Sequence, residues 1–459
     1  MNEASSAASL HRLTSADLTA LAGSRYDKGL LRRLRAAELS KNVLLLEAVR
    51  REAIRTGADS VRAIINSACD VLRIVQARRP DTIAKLLTLP NFGLWAVESL
   101  TQLRTGQQRP GAQRDLPTLE LDIGHLAAFA AVAALRARQQ CRLKLPIRDG
   151  VVHLPALGQV TVPADHGQDW ADFVSDGRGA TLACGPWEMR LPGVGSASAP
   201  GATWTPVHGV TAQSRGLEIR LILETDPLLA RLVPAPCAMS PEVAGEWQER
   251  LTGAWELLTR YHPNIALGLA EGLTVIVPSA ELERGQPVTA TSGWAWGAVL
   301  LSLPPDELTF AEALTHEFHH LVLAAVEDIT TLVNASGHDD LCYAPWRDDP
   351  RPRSALLQGS YAFFGVAGFW LRQRDVGSSA DRLRAETEFA RRSQNVSDAL
   401  TELRNWAGLT APGHLFVSTM ADRVAELLAE QVNPAARATA WQANSDHRAR
   451  WLRARAAGN

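Results

Sequence analysis

The segment Thr315–Leu321, with the sequence THEFHHL, constrains the fold of this chain more than any other feature. It contains the pattern His-Glu-x-x-His, formed by His316, Glu317 and His320. Positions i and i+4 of an α-helix lie one turn apart on the same face. Apolar residues also recur here at helical spacing and predict a core-facing stripe (Leu314, Phe318, Leu321, Val322 and Ala325). The segment therefore predicts a helix that packs on a core and presents two histidines together.

Two imidazoles one turn apart can bind one metal ion, with Glu317 beside it. Thr309 and Glu312 match a capping box and predict the start of this helix. His319 lies off the metal face and is expected to support the site or lie on the surface. The alternative is a buried helix whose histidines are satisfied structurally. Agreement between the motif, the cap and the apolar stripe favours metal binding.

Length and charge exclude several classes of protein. The chain has 459 residues, of which 46% are apolar and 21% charged, as in ordinary globular proteins of about two or three domains. The net charge of −2 gives no general attraction to nucleic acid or to an anionic membrane. The longest stretch of small apolar residues, Leu126–Leu135, is too short to span a bilayer. We therefore expect neither a nucleic-acid partner nor a membrane location.

The cysteines and the N-terminus favour the cytoplasm. There are five cysteines, widely spaced and without a CxxC pair, which argues against a disulfide framework, a cysteine zinc site or an iron–sulfur cluster. The first 15 residues lack the basic and apolar regions of a signal peptide. Because secreted HExxH proteases usually need an export signal, this feature argues against that class.

The pattern of apolar and turn-forming residues along the sequence predicts three regions and an α+β fold. Residues 1–140 are expected to be helical, and residues 141–230 to be rich in short strands joined by turns. Residues 231–459 contain the metal-binding motif. We expect a zincin-like catalytic part here, with the HExxH helix beside a small mixed sheet. A strand over Trp294–Leu303 is predicted to precede that helix directly.

A catalytic metal needs a third protein ligand and open positions. The helix predicted at 355–373 has no Asp, Glu or His up to Trp370, which leaves Gln358 and Tyr361 as its donors. Other candidates lie in the preceding loop (His338, Asp339, Asp340, Asp348 and Asp349). Glu327 and Asp328 lie about 10 Å along the helix axis from His320 and are expected to form a solvated helix end.

Two further segments could bind ligands. The loop Tyr343–Arg353 contains three arginines among prolines, and guanidinium groups bind carboxylates in a bidentate manner. The alternative is an ordinary salt-bridged surface loop. An edge strand within Thr291–Ala298 could bind an extended peptide through Ser292, Trp294 and Trp296. A core strand with two packed tryptophans is the alternative there.

The motif alone does not select the reaction. With zinc, Glu317 could act as a base that activates water for peptide hydrolysis. With ferrous iron and a suitable third ligand, the open positions could take 2-oxoglutarate and oxygen. Both interpretations stay open at this point.

Several segments together resemble one known family. THEFHHL, YAPWRDDPRP and LLQGSYAFFGVAGFW, in this order, are similar to segments of the HExxH-domain peptide-modifying proteins of bacterial gene clusters. That family is described as 2-oxoglutarate-dependent HExxH peptide β-hydroxylases. LPNFGLWA, DIGHLAA and LPIRDGVVHLPALG extend the resemblance over nearly the whole chain. Because the chain has no radical-SAM CxxxCxxC cluster, it resembles the stand-alone form.

The resemblance implies a non-haem iron oxygenase that hydroxylates the β-carbon of a residue in a ribosomally made precursor peptide. Fe(II) would be the metal, and O2 and 2-oxoglutarate the cosubstrates. A radical-SAM maturase of the same pathway is implied as a further partner. The alternatives are an intracellular zinc metallopeptidase and a non-catalytic peptide-binding protein.

The resemblance also implies roles for individual residues. His316 and His320 would bind the iron, and Gln358 would be the third ligand. Asp349 is the alternative third ligand, since a neutral amide is an unusual replacement for the carboxylate of a facial triad. Arg347 or Arg351 would bind the distal carboxylate of 2-oxoglutarate. Glu317 would orient the site or a bound water molecule.

Overall fold

A computed structural model of the protein describes residues 11–105, 116–163, 167–191, 204–234, 237, 239–281, 287–334, 341–377 and 379–457. The fold is α+β, as predicted from the sequence. The helices are α1 (Ser15–Ala22), α2 (Lys28–Thr56), α3 (Asp59–Arg78), α4 (Pro80–Leu87), α5 (Pro90–Thr105), α6 (Leu116–Ala137), α7 (Pro227–Ala230), α8 (Pro241–Tyr261), α9 (Pro263–Gly272), α10 (Glu307–Ile329), α11 (Arg353–Val376), α12 (Ser379–Arg404), α13 (Ala411–Leu428) and α14 (Pro434–Ala457). Within the described ranges, none of these helices combines the length and apolar content that crossing a membrane requires.

In the described parts of the chain, the strands form four small sheets. They are β1 (Gln140–Pro146), β2 (Val151–Leu154), β3 (Gly158–Thr161), β4 (Trp170–Asp176), β5 (Ala180–Cys184), β6 (Trp187–Arg190), β7 (Trp204–Pro206), β8 (His208–Ser214), β9 (Leu217–Leu223), β10 (Val275–Ser279), β11 (Thr289–Ala290), β12 (Ala298–Ser302), β13 (Leu341–Cys342) and β14 (Arg351–Pro352). Three sheets are antiparallel, with the orders β1-β4-β5-β6, β2-β3-β7 and β13-β14. The fourth is mixed and has the order β11-β12-β10-β9-β8.

This mixed sheet carries the HExxH helix. β10 pairs in parallel with β9 and β12, whereas β11 pairs antiparallel with β12 and is one of the two end strands of the sheet. The chain leaves β12 and enters α10 after four residues. An edge strand, a central sheet and the motif helix therefore lie next to one another.

The central strands of this sheet are buried on both faces. Alternate side chains point to opposite sides of a strand, so β10 and β12 contribute to two hydrophobic cores. Ile276, Val299 and Leu301 belong to the first core, with apolar residues of α8, α10 and α11. Val275 and Leu300 belong to the second, with residues of α3, α5 and α6. Burial on both faces explains why these strands are continuous apolar runs in the sequence.

Helix α2 contributes to both cores. Leu30 and Leu34 in its first half pack in the first core, whereas Val49 and Ala53 in its second half pack in the second. The N-terminal helices therefore help to form the core around the motif helix. The packing runs across the predicted boundaries near residues 140 and 230.

Two local predictions around the motif helix are wrong. Residues 291–297 form a turn, so the strand predicted from Trp294 begins only at Ala298. The helix starts at Glu307, and its N-cap is Asp306, whose side chain accepts a hydrogen bond of 2.7 Å from the Thr309 backbone N–H. Asp306 directly follows two prolines, which favour an extended chain, and aspartate is a strongly preferred N-cap residue. The helix therefore begins before the predicted cap at Thr309.

The buried histidine between α8 and α9 gives the fold an expected pH dependence. The ring of His262 stacks on Phe369 at 4.5 Å, and its Nε2 accepts a 2.8 Å hydrogen bond from Gln373. Burial, with Arg372 nearby, lowers the pKa of His262 to about 3. The unfolded chain binds a proton below its ordinary pKa of about 6.5, whereas the folded chain does not.

The free energy of unfolding is therefore expected to fall as the pH drops from about 6.5 towards about 3, and this histidine contributes up to about 1.4 kcal/mol per pH unit. His262→Gln should flatten this slope, as measured by urea unfolding at pH 7.5 and 5. The exposed His414 provides the control, His414→Gln. An unchanged slope in His262→Gln would contradict the prediction.

Candidate metal centre

Two imidazoles converge on one face of α10. The Nε2 atoms of His316 and His320 lie 3.2 Å apart, and the ring centroids are separated by 4.9 Å. Two nitrogen ligands that are each about 2.0–2.1 Å from one metal ion come within about 3 Å of each other. The spacing of the two nitrogens therefore fits a shared divalent ion.

The surroundings keep both imidazoles neutral. Burial, with His320 and Arg392 as further causes, holds the pKa of His316 well below its ordinary value. Burial also lowers the pKa of His320, against the hydrogen bond with Gln358, which raises it. Because a metal binds the neutral imidazole, this environment prepares the pair for coordination near neutral pH.

Glu317 lines the same cavity as the two histidines and is almost fully buried, with 1% of its surface exposed. Its Oε1 is 3.9 Å from Nε2 of His316, and its Oε2 has no hydrogen-bond partner. Burial raises the pKa of Glu317 to about 7, although hydrogen bonds from Thr289 and Thr291 act in the opposite direction. A buried oxygen without a partner is rare in folded proteins, and a bound metal with its water would supply one.

Gln358 contacts the other nitrogen of His320. Its Oε1 lies 3.4 Å from Nδ1 of His320, while its Nε2 donates a 2.6 Å hydrogen bond to Glu327. The amide therefore lies on the side of the ring away from His316. Glu327 is half-buried with a pKa raised by burial, so the expected solvated helix end is wrong for this residue. Asp328 is exposed, as expected, and pairs with Lys41 at 2.7 Å.

The histidine pair opens into a cavity of about 730 Å³. Arg347 and Arg351 line the same cavity, as do the aromatic rings of Trp346 and Phe363. The ring of Phe363 packs edge-on against His316 at 4.7 Å. One cavity therefore combines two metal-binding nitrogens, two guanidinium groups and an apolar wall.

The alternative third ligand, Asp349, is not brought to the histidines. Its carboxylate accepts hydrogen bonds from Arg347 at 2.7 Å and Arg351 at 3.2 Å, and its side chain is 50% exposed. Asp349 is absent from the cavity wall, and the two positive charges beside it lower its pKa. The hydrogen bonds to the two arginines hold this carboxylate outside the cavity wall.

Of the other candidates for the third metal ligand, two are described by the structure and three are not. Asp348 is exposed and lies 3.4 Å from His447, and Tyr361 is buried with its hydroxyl donating to the carbonyl oxygen of Leu21. Both lie outside the cavity wall. Residues 338–340, which include three predicted donors, lie outside the described residues. Among the residues that are described, no three His, Cys, Asp or Glu side chains are grouped as metal ligands.

The predicted peptide-binding segment is only partly at the cavity. Trp294 is 45% exposed and lines it, with Lys41 over its ring at 5.4 Å. Trp296 is buried in the first core, and Ser292 lies in the turn outside the cavity wall. The edge strand is instead β11, whose two residues line the cavity together with Thr291. The alternation in Val288-Thr289-Ala290-Thr291 was the sequence signal for this short strand.

Comparison with known proteins adds no family to these observations. No protein-family model matches the chain, and no curated protein matches it significantly. The resemblance to HExxH peptide hydroxylases therefore stays an expectation, and the function has to be inferred from the site.

Close packing of α11 on its neighbours holds the site together. A Cβ atom at Gly359 would lie 2.6 Å from the ring of Trp346, and one at Gly365 would lie 2.2 Å from the ring of His319. His319 is fully buried, with Nδ1 2.7 Å from the carbonyl oxygen of Thr315 and Nε2 2.8 Å from the Ser24 hydroxyl. His319 therefore supports the metal helix from behind, and its expected surface alternative is wrong.

Proposed function

We propose that this protein is a cytoplasmic Fe(II)- and 2-oxoglutarate-dependent oxygenase that hydroxylates the β-carbon of a residue in a ribosomally made precursor peptide. One observation carries the proposal: the histidine pair and two arginines line the same cavity. A cosubstrate with two carboxylates needs both a metal and a cationic partner. The resemblance in sequence supports the same activity, and the peptide-maturation pathway it implies includes a radical-SAM maturase.

His316 and His320 would hold the iron, since their Nε2 atoms lie close together and burial, which lowers the pKa of both rings, keeps the imidazoles neutral. When bound, Fe(II) with 2-oxoglutarate and O2 supplies the oxidising power for hydroxylation, and succinate and carbon dioxide leave. Arg347 and Arg351 would bind the distal carboxylate of 2-oxoglutarate, because each donates only one described hydrogen bond to Asp349 and retains further N–H donors.

The peptide would bind along β11. Thr289 and Ala290 lie at the end of the mixed sheet and on the cavity wall, so their outward backbone groups can pair with an extended chain. Trp294 offers an exposed ring beside this edge. The apolar wall of Trp346 and Phe363 would exclude water from the residue being modified.

Succinate release tests the proposal. Anaerobically purified protein would receive Fe(II), 2-oxoglutarate and O2, and slow turnover without peptide would suffice. Succinate that requires added iron is the expected result. Its absence, even with candidate precursor peptides, together with zinc at one equivalent, would overturn the proposal.

Arg351→Gln is expected to raise the KM for 2-oxoglutarate by about 10-fold or more, since a hydrogen bond to a charged group contributes about 1.5–3 kcal/mol. The maximal rate should change less, because the histidines are untouched. Arg353→Gln is the matched control, as Arg353 bonds to Glu402 at 2.8 Å and does not line the cavity. Equal KM values in the two variants would remove Arg351 from the cosubstrate site.

A zinc metallopeptidase is the second candidate, and Glu317 favours it. A buried carboxyl that lines the cavity and lies 3.9 Å from Nε2 of His316 is placed to take a proton from water. A peptidase would lose about 100-fold or more of its hydrolysis in Glu317→Gln, the usual contribution of a general base. Glu312→Gln is the control, since Glu312 lies on the same helix and bonds to Trp370 at 2.9 Å.

The Glu317→Gln experiment separates the candidates. An oxygenase should keep measurable succinate release in this variant and show no peptide hydrolysis in the parent protein. A non-catalytic peptide-binding protein, the remaining alternative, would show neither reaction and only weak metal binding.

A further inference from the structure

A hydrogen-bonded chain of three side chains connects the metal face to the far end of α10. Nδ1 of His320 lies 3.4 Å from Oε1 of Gln358, and Nε2 of Gln358 donates to Oε2 of Glu327 at 2.6 Å. Glu327 lies seven residues after His320, two turns along the same helix face. Gln358 reaches both from α11.

The carboxylate of Glu327 determines which way the amide of Gln358 faces. The amide nitrogen of Gln358 donates to Oε2 of Glu327, and an ionised carboxylate can only accept, so it holds the amide in this orientation. The amide oxygen then faces His320 and can only accept. Nδ1 of His320 therefore carries the proton, and its Nε2 keeps the lone pair that faces His316.

We propose that Gln358 and Glu327 are positioning residues that fix the tautomer of His320, and that Gln358 is not the third metal ligand. This inference rests on the histidine pair being the metal site of the proposed function. Metal-binding histidines commonly donate their second N–H to an oxygen that fixes the ring. Here an amide oxygen accepts, and the carboxylate of Glu327 fixes the orientation of the amide.

The neighbouring acidic residue has a different role. Asp328 bonds to Lys41 at 2.7 Å, and Lys41 also pairs with Glu38 at 2.7 Å. Asp328 therefore connects α10 to α2, whereas Glu327 accepts the hydrogen bond from the amide of Gln358. The two adjacent carboxylates form a matched pair for an experiment, since only one belongs to the chain of three side chains.

Co(II) binding by the metal-free full-length protein provides the test. In Glu327→Gln the amide of Gln358 can turn round and present its nitrogen to His320. The ring proton then moves from Nδ1 to Nε2, and Nε2 loses the lone pair that binds the metal. We expect the Kd for Co(II) to rise about 10-fold, at the lower end of the effect of losing such a partner. Asp328→Asn should leave the Kd for Co(II) unchanged.

An exchange of the two side chains makes the test sharper. In the double variant Glu327→Gln/Gln358→Glu, the carboxylate at 358 accepts from Nδ1 of His320, and the amide at 327 donates to that carboxylate. The hydrogen bond from Nδ1 of His320 keeps its direction and the bond between positions 327 and 358 is reversed, so Co(II) affinity should return close to the parent value. Failure of the double variant to regain affinity, with an unchanged melting temperature, would overturn the inference.

The absorption spectrum of bound Co(II) separates positioning from ligation. If Gln358 is a positioning residue, Gln358→Ala weakens binding and leaves the visible bands of the saturated protein in place. Bands that shift or change in intensity in Gln358→Ala would show a lost ligand and contradict the inference. Co(II) binding needs no turnover, so these outcomes are independent of whether succinate is released.

Discussion

His316→Ala is expected to abolish both tight metal binding and turnover. It removes one of two Nε2 atoms that lie 3.2 Å apart, and among the described residues no three His, Cys, Asp or Glu side chains are grouped as metal ligands. The loss of affinity should be about 100-fold or more, beyond the range seen when only a supporting partner is removed. Co(II) titration and succinate release would measure the two effects in the same preparation.

The control for this variant is His414→Ala, because His414 is exposed and remote in sequence from the motif. It should bind metal and turn over like the parent protein. Metal binding that survives His316→Ala unchanged would place the ion elsewhere and remove the basis of both candidate reactions.

Gly365→Ala is expected to destabilise the fold strongly. The added methyl group would lie 2.2 Å from the ring of His319. That ring cannot move aside easily, since both of its nitrogens are within hydrogen-bond distance of a partner, at Thr315 and Ser24. We expect a loss at or above the upper end of the about 1–3 kcal/mol that overpacking usually costs. Urea unfolding would measure it.

Gly368→Ala is the matched control on the same helix. Gly368 is exposed, and a Cβ atom there would meet nothing within 4 Å. The same substitution should stabilise the protein by about 0.5–1 kcal/mol, because alanine favours the helix. If both variants lost stability equally, the close approach of α11 to His319 would not be the cause.

Local patterns in the sequence predicted much of the fold. The helical N-terminal region and the HExxH helix could be predicted, since helical periodicity is a property of neighbouring residues. The histidine pair could be predicted for the same reason, because i and i+4 meet on any helix. The turn at 291–297 was read as a strand because its aromatic residues favour strands.

The remainder of the site depends on contacts that no local pattern contains. Glu327 lies beside Gln358 because α11 folds back along α10, which brings together residues 31 positions apart. Asp349 could not be excluded as a ligand until its two arginine partners were known. Long-range packing decides which of several carboxylates faces a metal.

The position of α2 has a consequence for how substrates reach the cavity. Its 29 residues form a rod about 43 Å long that is embedded in both cores. Lys41, near its middle, holds the end of α10 and covers Trp294. Because α2 is packed into a core at each end, it resists hinge bending between the parts of the molecule that form the first and the second core. Under the proposed function, entry of the peptide is therefore expected to depend on the loop carrying Arg347 and on the turn at 291–297, while α2 stays rigid.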